Sequence, residues 1–249
     1  MDLDAVVSTA VSPVAERAGG SLSAGVYDLA SGAGGVCGDE GRTYDTASVV
    51  KVDILAALLL RAQDTCREPT ASEWESAAAM IERSDNDAAT ALWRLIGGAP
   101  GLDAANRRLG LAETSGAAAW GLTRTTVRDR LALLKAVFGA ESALDAGSRG
   151  HLATLMSRTV AGQDWGVSAA GTAWALKNGW LPRTATGLWV VNSIGRVTAP
   201  DGRVCLVAVL SDGHATKEAG VAAVEDAARA AVRAVGAALR AAPGATSTP

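Results

Sequence analysis

The hydrophobic period of this chain changes twice, and that change limits the folds open to it more than any other feature. Asp4 to Ala18 carries apolar residues at helical spacing and stops at Gly19-Gly20. Ser23 to Leu29 and a short stretch around Val36 read as two strands, joined through Ser31-Gly32-Ala33-Gly34-Gly35 as a hairpin. From Ser48 to Gly139 the period is almost wholly helical. Segments 48–64, 72–83, 87–96, 102–109 and 125–138 are separated by loops that include 97–101 and 116–121, and a further helix is predicted near 147–160. Strand character returns after Gly171. Ala173 to Trp180, Gly187 to Val197 and Arg203 to Ser211 are short, rich in Val, Trp and Ile, and broken by Pro182 and Ala199-Pro200-Asp201-Gly202, the pattern of an antiparallel meander. An Ala-rich helix over 216–241 follows. Strands at both ends of a helical middle predict an α+β fold with α/β/α-like layers. Its five-stranded antiparallel sheet is built from both chain ends and carries the terminal helices, and an all-helical subdomain is inserted. On this reading residues 1–249 form one domain, with 1–47 and 171–242 as its sheet part, 48–170 as its helical part and 243–249 as a tail.

Charge and composition narrow the partners. The balance of 23 Lys+Arg against 26 Asp+Glu leaves −3, and no run of five like charges occurs, so the basic footprint of a nucleic-acid binder is missing. The longest apolar run, Ile54 to Leu60, falls far short of the roughly 18 residues that span a bilayer, so a soluble protein with no membrane partner is expected. Met1-Asp2-Leu3-Asp4 is acidic where a secretory leader is basic, which predicts a cytoplasmic chain, or a secreted one if a leader was removed. Cys37, Cys66 and Cys205 are odd in number, widely spaced and set in or beside apolar segments, as buried thiols are. His151 and His214 read as isolated surface or loop histidines, so a histidine-ligated metal is not expected and no cofactor is implied. The chain is expected to be a monomer.

Three short motifs remain: Ser48-Val49-Val50-Lys51, Ser84-Asp85-Asn86 and Lys177-Asn178-Gly179. The chain holds only four lysines (51, 135, 177, 217) and four asparagines (86, 106, 178, 192). Multiplying residue frequencies puts the chance of all three motifs on the order of 1 in 500, before order and spacing are required. Taken singly, Ser48 is an ordinary helix cap, Lys51 a solvated helix residue and Lys177 an exposed strand lysine; the conjunction gives them meaning.

In that order the motifs resemble those of the penicillin-recognising serine hydrolases, in particular the class A β-lactamase-like branch, whose pattern is Ser-x-x-Lys, Ser-x-Asn, Lys-(Thr/Ser)-Gly. The likeness runs over nearly the whole chain and includes Ile96-Gly97-Gly98, Thr125-Thr126 opening a helix, and Trp189-Val190-Val191-Asn192-Ser193-Ile194-Gly195. Trp120-Gly121-Leu122-Thr123, Asp164-Trp165-Gly166-Val167 and Lys177 to Pro182 further resemble an actinobacterial serine hydrolase subgroup. The resemblance implies a β-lactamase/transpeptidase-like fold. It implies that Ser48, Lys51, Ser84 and Lys177 are catalytic, and that Asn86, Asn178, Gly179 and Trp180 bind substrate, with the Trp180 and Ser48 amides as the oxyanion hole.

The residue chemistry agrees with those roles. Ser48 precedes a run of strong helix formers, where free amides and the helix dipole stabilise developing negative charge. Lys51 lies three residues on, on the same helical face, and a semi-buried lysine beside a second cation, Lys177, loses its proton readily enough to act as base. Ser84-Asp85-Asn86 falls at a break between helices, suited to relaying a proton through Ser84 and to binding a substrate amide through Asn86; as a local pattern it is equally good capping chemistry. Gly179 lets substrate backbone approach the strand edge.

Two departures from the family pattern shape the expected activity. Asn178 stands where the family has Thr or Ser, losing a hydroxyl used on a substrate carboxylate but offering an amide donor. The stretch Gly110 to Arg124 is short and lacks the Glu-x-x-Leu-Asn loop motif; its sole carboxylate, Glu113, reads as a loop residue and not as the deacylating base. The expectation is an active-site serine hydrolase or acyltransferase forming an acyl-enzyme at Ser48 on a small-molecule amide, ester or lactam. Water removes the acyl group slowly, so turnover calls for an amine or alcohol acceptor, and the chain is not an efficient β-lactamase. The alternatives are a D-alanyl-D-alanine peptidase type or weak β-lactamase, and a non-catalytic ligand-binding module.

Overall fold

The computed structural model describes residues 1–39 and 41–241; the tail assigned to 243–249 lies outside them. The elements run α1 (Leu3–Ala18), β1 (Ser21–Asp28), β2 (Gly34–Cys37), β3 (Tyr44–Asp45), α2 (Val50–Asp64), α3 (Ala71–Glu82), α4 (Asn86–Leu95), α5 (Gly98–Arg108), β4 (Arg124–Thr125), α6 (Val127–Phe138), α7 (Ala146–Met156), β5 (Thr172–Pro182), β6 (Trp189–Thr198), β7 (Val204–His214) and α8 (Lys217–Ala241). Short 3-10 turns cover Ala47–Val49, Trp120–Leu122 and Val167–Ala170. The five-stranded antiparallel sheet has the order β2-β1-β7-β6-β5. Chain ends meet in its centre, where Ser21 pairs with Asp212 and Asp28 with Cys205, and β5 is left as an edge.

Strand alternation gives the sheet two apolar faces. Val207 and Val209 of β7 join Val26 in packing against Val7, Val11 and Val14 of α1 and Val224, Ala227, Ala231 and Val235 of α8. The alternate residues Leu206, Ala208 and Leu210 face the other core, which is centred on α2. There Ile54, Leu55, Leu58, Leu59 and Leu60 are buried against Met80, Ile81, Leu102, Leu133 and Leu134. Nearly every position of this helix is buried, because other elements surround it. One ion pair crosses the helical core. Asp53 of α2 receives two hydrogen bonds from Arg130 of α6, at 2.5 and 2.8 Å, with both side chains wholly buried. Arg130 also donates to Thr114 Oγ1 at 3.1 Å. Removing one partner of such a pair strands a buried charge, so α2 is tied in rotation to α6.

Several boundaries differ from expectation. The stretch 98–101, read as loop, is the first turn of α5: Gly97 takes φ +93°, and Pro100 fits a first turn because its missing N–H has no helical partner there. The helix predicted from 125 begins at Val127, since Thr125 pairs with Tyr44 in a two-residue ladder and the Thr126 side chain caps Asp129 N. The ladder β3/β4 is too short to show a period. The helix predicted to 160 ends at Met156. His214, read as a surface or loop histidine, is buried at the end of β7, where burial lowers its pKa. Cys37 and Cys205 are buried thiols, whereas Cys66 is exposed. Among the described residues no helix is long and apolar enough to cross a membrane.

Candidate active site

The turn between β3 and α2 carries Ser48. Thr46 N donates to Thr123 O at 2.8 Å, Ala47 takes φ +47°, and Val49 N returns to Thr46 O at 3.3 Å. A left-handed alanine is strained by its Cβ, and such residues persist only where surroundings hold them. The outcome is a half-buried serine one turn ahead of the long buried helix. Its side chain caps no helix end.

Lys51, on the first turn of α2, is fully buried. Its Nζ donates to Ser84 O at 2.7 Å, to Ser84 Oγ at 3.1 Å and to Asn86 Oδ1 at 2.8 Å. Ser84 reaches it because the break between α3 and α4 places Ser84 at φ +58°, while Asp85, not Ser84, caps α4 by accepting from Ala88 N at 2.8 Å. The first two motifs are thus joined through one ammonium. An ammonium has three protons, and all three are engaged; among the described residues no hydrogen bond links Ser48 Oγ to Lys51 Nζ. Asn86 is exposed at the start of α4, and its carbonyl end is taken by Lys51, which leaves the NH2 end available to a ligand.

The third motif arrives on β5. Lys177 is fully buried and donates to Asn178 O at 3.1 Å. Gly179, two residues on, shares its face of the strand and lies against the serine turn. A methyl carbon on Gly179 would sit 2.7 Å from Ser48 N, 2.9 Å from Thr46 O and 2.9 Å from Val49 N, so only glycine permits this approach. Asn178 points the other way. Its Nδ2 donates to Gln163 O and to Trp165 O, each at 2.8 Å, and pins the loop ahead of the 167–170 turn. The expected amide donor for a substrate carboxylate is therefore already used inside the protein, a consequence of strand alternation that puts residue 178 on the face opposite 177 and 179.

Two buried lysines share this site without a carboxylate partner, since the ion pairs among the described residues are all made by arginine. Burial lowers the Lys51 pKa to about 8, opposed by the charge of Asp85. Burial and then the charge of Lys51 lower Lys177 to about 7. Each is thereby brought within reach of losing its proton near neutral pH.

One tryptophan lies against the buried Lys51 and two more pair on the other face of β5. The Trp120 ring lies over Lys51, with Nζ 4.8 Å from its centroid, and its Nε1 donates to Thr90 Oγ1 at 3.2 Å. Trp180 is half-buried, with Lys217 Nζ 4.1 Å from its ring centroid and the Trp165 ring 5.9 Å away. Glu113 belongs elsewhere: its carboxylate accepts from Thr126 Oγ1 at 2.8 Å, its amide donates to Asp129 Oδ2 at 2.9 Å, and it lines a cavity with Asp4, Ser8, Arg42 and Arg128. The motifs alone identify neither the contact of Trp120 with Lys51 nor the role of Asn192, which donates to the carbonyls of Asp45 and Thr46. The signal for Asn192 was a lone amide within an apolar strand.

The beta-lactamase enzyme family model matches residues 63–235, a span that holds the second and third motifs and begins after Lys51. A comparison with curated proteins finds no match. Among solved structures, the chain is similar to PBP-A (21% identity, 95% of this chain and 98% of that one, TM-score 0.78). It is also similar to a class A beta-lactamase representative from Bacteroides cellulosilyticus (16%, 95% and 99%, TM-score 0.81) and to the TLA-1 extended spectrum beta-lactamase (17%, 93% and 99%, TM-score 0.83). At these identities the structures speak for the fold, and the family match covers well over half of the sequence: the chain belongs to the beta-lactamase enzyme family, within the penicillin-recognising serine hydrolase superfamily.

Proposed function

We propose that the protein is an active-site serine hydrolase or acyltransferase. Ser48 attacks the carbonyl of a small-molecule amide, ester or lactam, its proton passes to Lys51, and Ser84 returns a proton to the leaving group. The Ser48 and Trp180 amides hold the oxyanion, and the Asn86 NH2 binds the acyl side. One observation carries this reading: Lys51 is wholly buried, has no carboxylate partner, and gives its donors to the second motif one helical turn from Ser48. Once neutral it keeps two donors and gains a lone pair. With a pKa of about 8 roughly a tenth of the molecules hold that form at pH 7.

The same surroundings support slow hydrolysis. Among the described residues no carboxylate is paired with Lys51, Glu113 is turned to Thr126, and the lysine's neighbour on one side is the Trp120 ring, which offers no base. An amine or alcohol acceptor is then the better route out of the acyl-enzyme. A PBP-A mutant, which shares the fold, forms an acyl-enzyme complex with penicillin G, and this supports penicillin as a first probe.

Intact-mass spectrometry after incubation with a penicillin, and separately with a reactive acyl ester, tests the reading. The expected result is one adduct on Ser48 that lasts minutes or longer, because a general-base contribution of about 100- to 10,000-fold is missing. Glu113→Gln should leave that lifetime nearly unchanged. A native adduct gone in less than about a second, and greatly prolonged by Glu113→Gln, would restore Glu113 as a deacylation base. No adduct with either probe would favour the binding-module reading. In the same assay Gly179→Ala should slow labelling at least about tenfold, since the added carbon displaces the Ser48 amide from the strand. Unchanged labelling would show that the turn yields without loss.

A further inference from the structure

Ala47 holds a left-handed conformation with a side chain that resists it, so something must fix the peptides on its N-terminal side. We infer that Asn192 is the positioning residue that does so, an extension of the proposed acyl chemistry to a residue in the sheet that touches no substrate.

Asn192 sits in the middle of β6 with no exposed surface, among Val190, Val191 and Ile194. Every polar atom of its side chain is used. Nδ2 donates to Asp45 O at 2.9 Å and to Thr46 O at 3.1 Å, and Oδ1 accepts from Ser211 N at 3.0 Å. The two bracketed carbonyls belong to the consecutive peptides that enter Ala47. Holding both fixes the plane from which the Ser48 amide and hydroxyl project. In the β5–β6 register Asn192 is directly opposite Gly179. The bare glycine brings the strand up to the turn, and the neighbouring asparagine grips the turn across it. Behind it, Ser211 Oγ donates to Val191 O and meets His214 Nε2 at 2.9 Å, a separate buried polar layer; Asn192 itself bonds only the Ser211 backbone N–H.

Asn192→Asp keeps the acceptor for Ser211 N and removes the two donors; Asn192→Ser shortens the side chain without adding charge. Ser211→Ala disturbs the layer behind without touching the turn. For each Asn192 variant that retains the native circular dichroism, the acylation rate constant should fall about 100-fold while the dissociation constant of the pre-covalent complex moves less than about threefold. Ser211→Ala should change neither beyond about threefold. Hydrogen–deuterium exchange supplies a readout free of acyl chemistry. In Asn192→Ser, peptides covering 44–50 should exchange about tenfold faster while those covering 54–60 stay protected. Acylation within threefold of the native rate, or unchanged exchange over 44–50, would overturn the bracket. A native protein that takes no acyl group would overturn the proposed function alone, and exchange would still decide the role of Asn192.

Discussion

Ser48→Ala is expected to abolish acyl labelling by every probe that modifies the native protein, with the thermal midpoint shifted by no more than about 2 °C. The argument is local. Ser48 lies in a 3-10 turn whose flanking residues make no side-chain cap bond, so its hydroxyl holds no helix end together. The turn is kept by Thr123, by the Thr46 carbonyl and by Gly179 against it, none of which the substitution touches. Chemistry and stability therefore separate at this position. Peptide mapping of the labelled protein checks the result; label that persists on another residue would remove Ser48 as nucleophile.

Lys51→Arg is expected to reduce acylation about 1,000-fold, nearly as far as Lys51→Ala, although it preserves charge. Guanidinium cannot release a proton near neutrality, so a base loses everything by this exchange and a mere counter-charge loses little. The native pH profile should show the matching sign. A base acts when neutral, so acylation rises with pH through the interval from about 7 to about 8, where both lysines lose their protons. Because the two ammoniums repel, that limb belongs to the pair and not to either residue alone. Near-normal acylation by Lys51→Arg, with the limb retained, would show that Lys51 supplies charge only. The measurement is the acylation rate constant of each variant from pH 5.5 to 9, values chosen to bracket the range of roughly one unit either side in which a group titrates.

The sequence carried the site to different depths at different residues. Ser48, Lys51, Ser84 and Lys177 were legible because each stands in a short motif whose members neighbour one another through local geometry: one helical turn, one break, one strand. Asn178 misled because the motif names the residue type at that position, while the strand period decides which way it faces. Glu113 was set aside for its spacing, and its bond to Thr126 shows where the side chain goes. Trp120, Asn192 and the left-handed Ala47 needed the three-dimensional approach of β5 and β6 to the start of α2, which leaves no periodic trace. The sheet was legible in its class, its five strands and its origin in both chain ends because strand and helix periods alternate cleanly; the strand order came from the structure, and β3 and β4, two residues each, offered no period to read.

The stitching of the sheet from both chain ends also sets a timetable for synthesis. When β1 leaves the ribosome only its partner strand β2 is close at hand, and β7, its other partner, is made only after every helix from α2 to α7. The helices that follow β3 can gather around α2 in the meantime, bringing Ser48, Lys51, Ser84 and Asn86 together early. Lys177, Gly179, Trp180 and Asn192 emerge afterwards, and long-range pairing must wait for them. A nascent chain thus holds its serine against a half-built pocket, without the strand that aligns the turn. The site is whole only once β5 and β6 have been made and paired, so its assembly is one of the later events in folding.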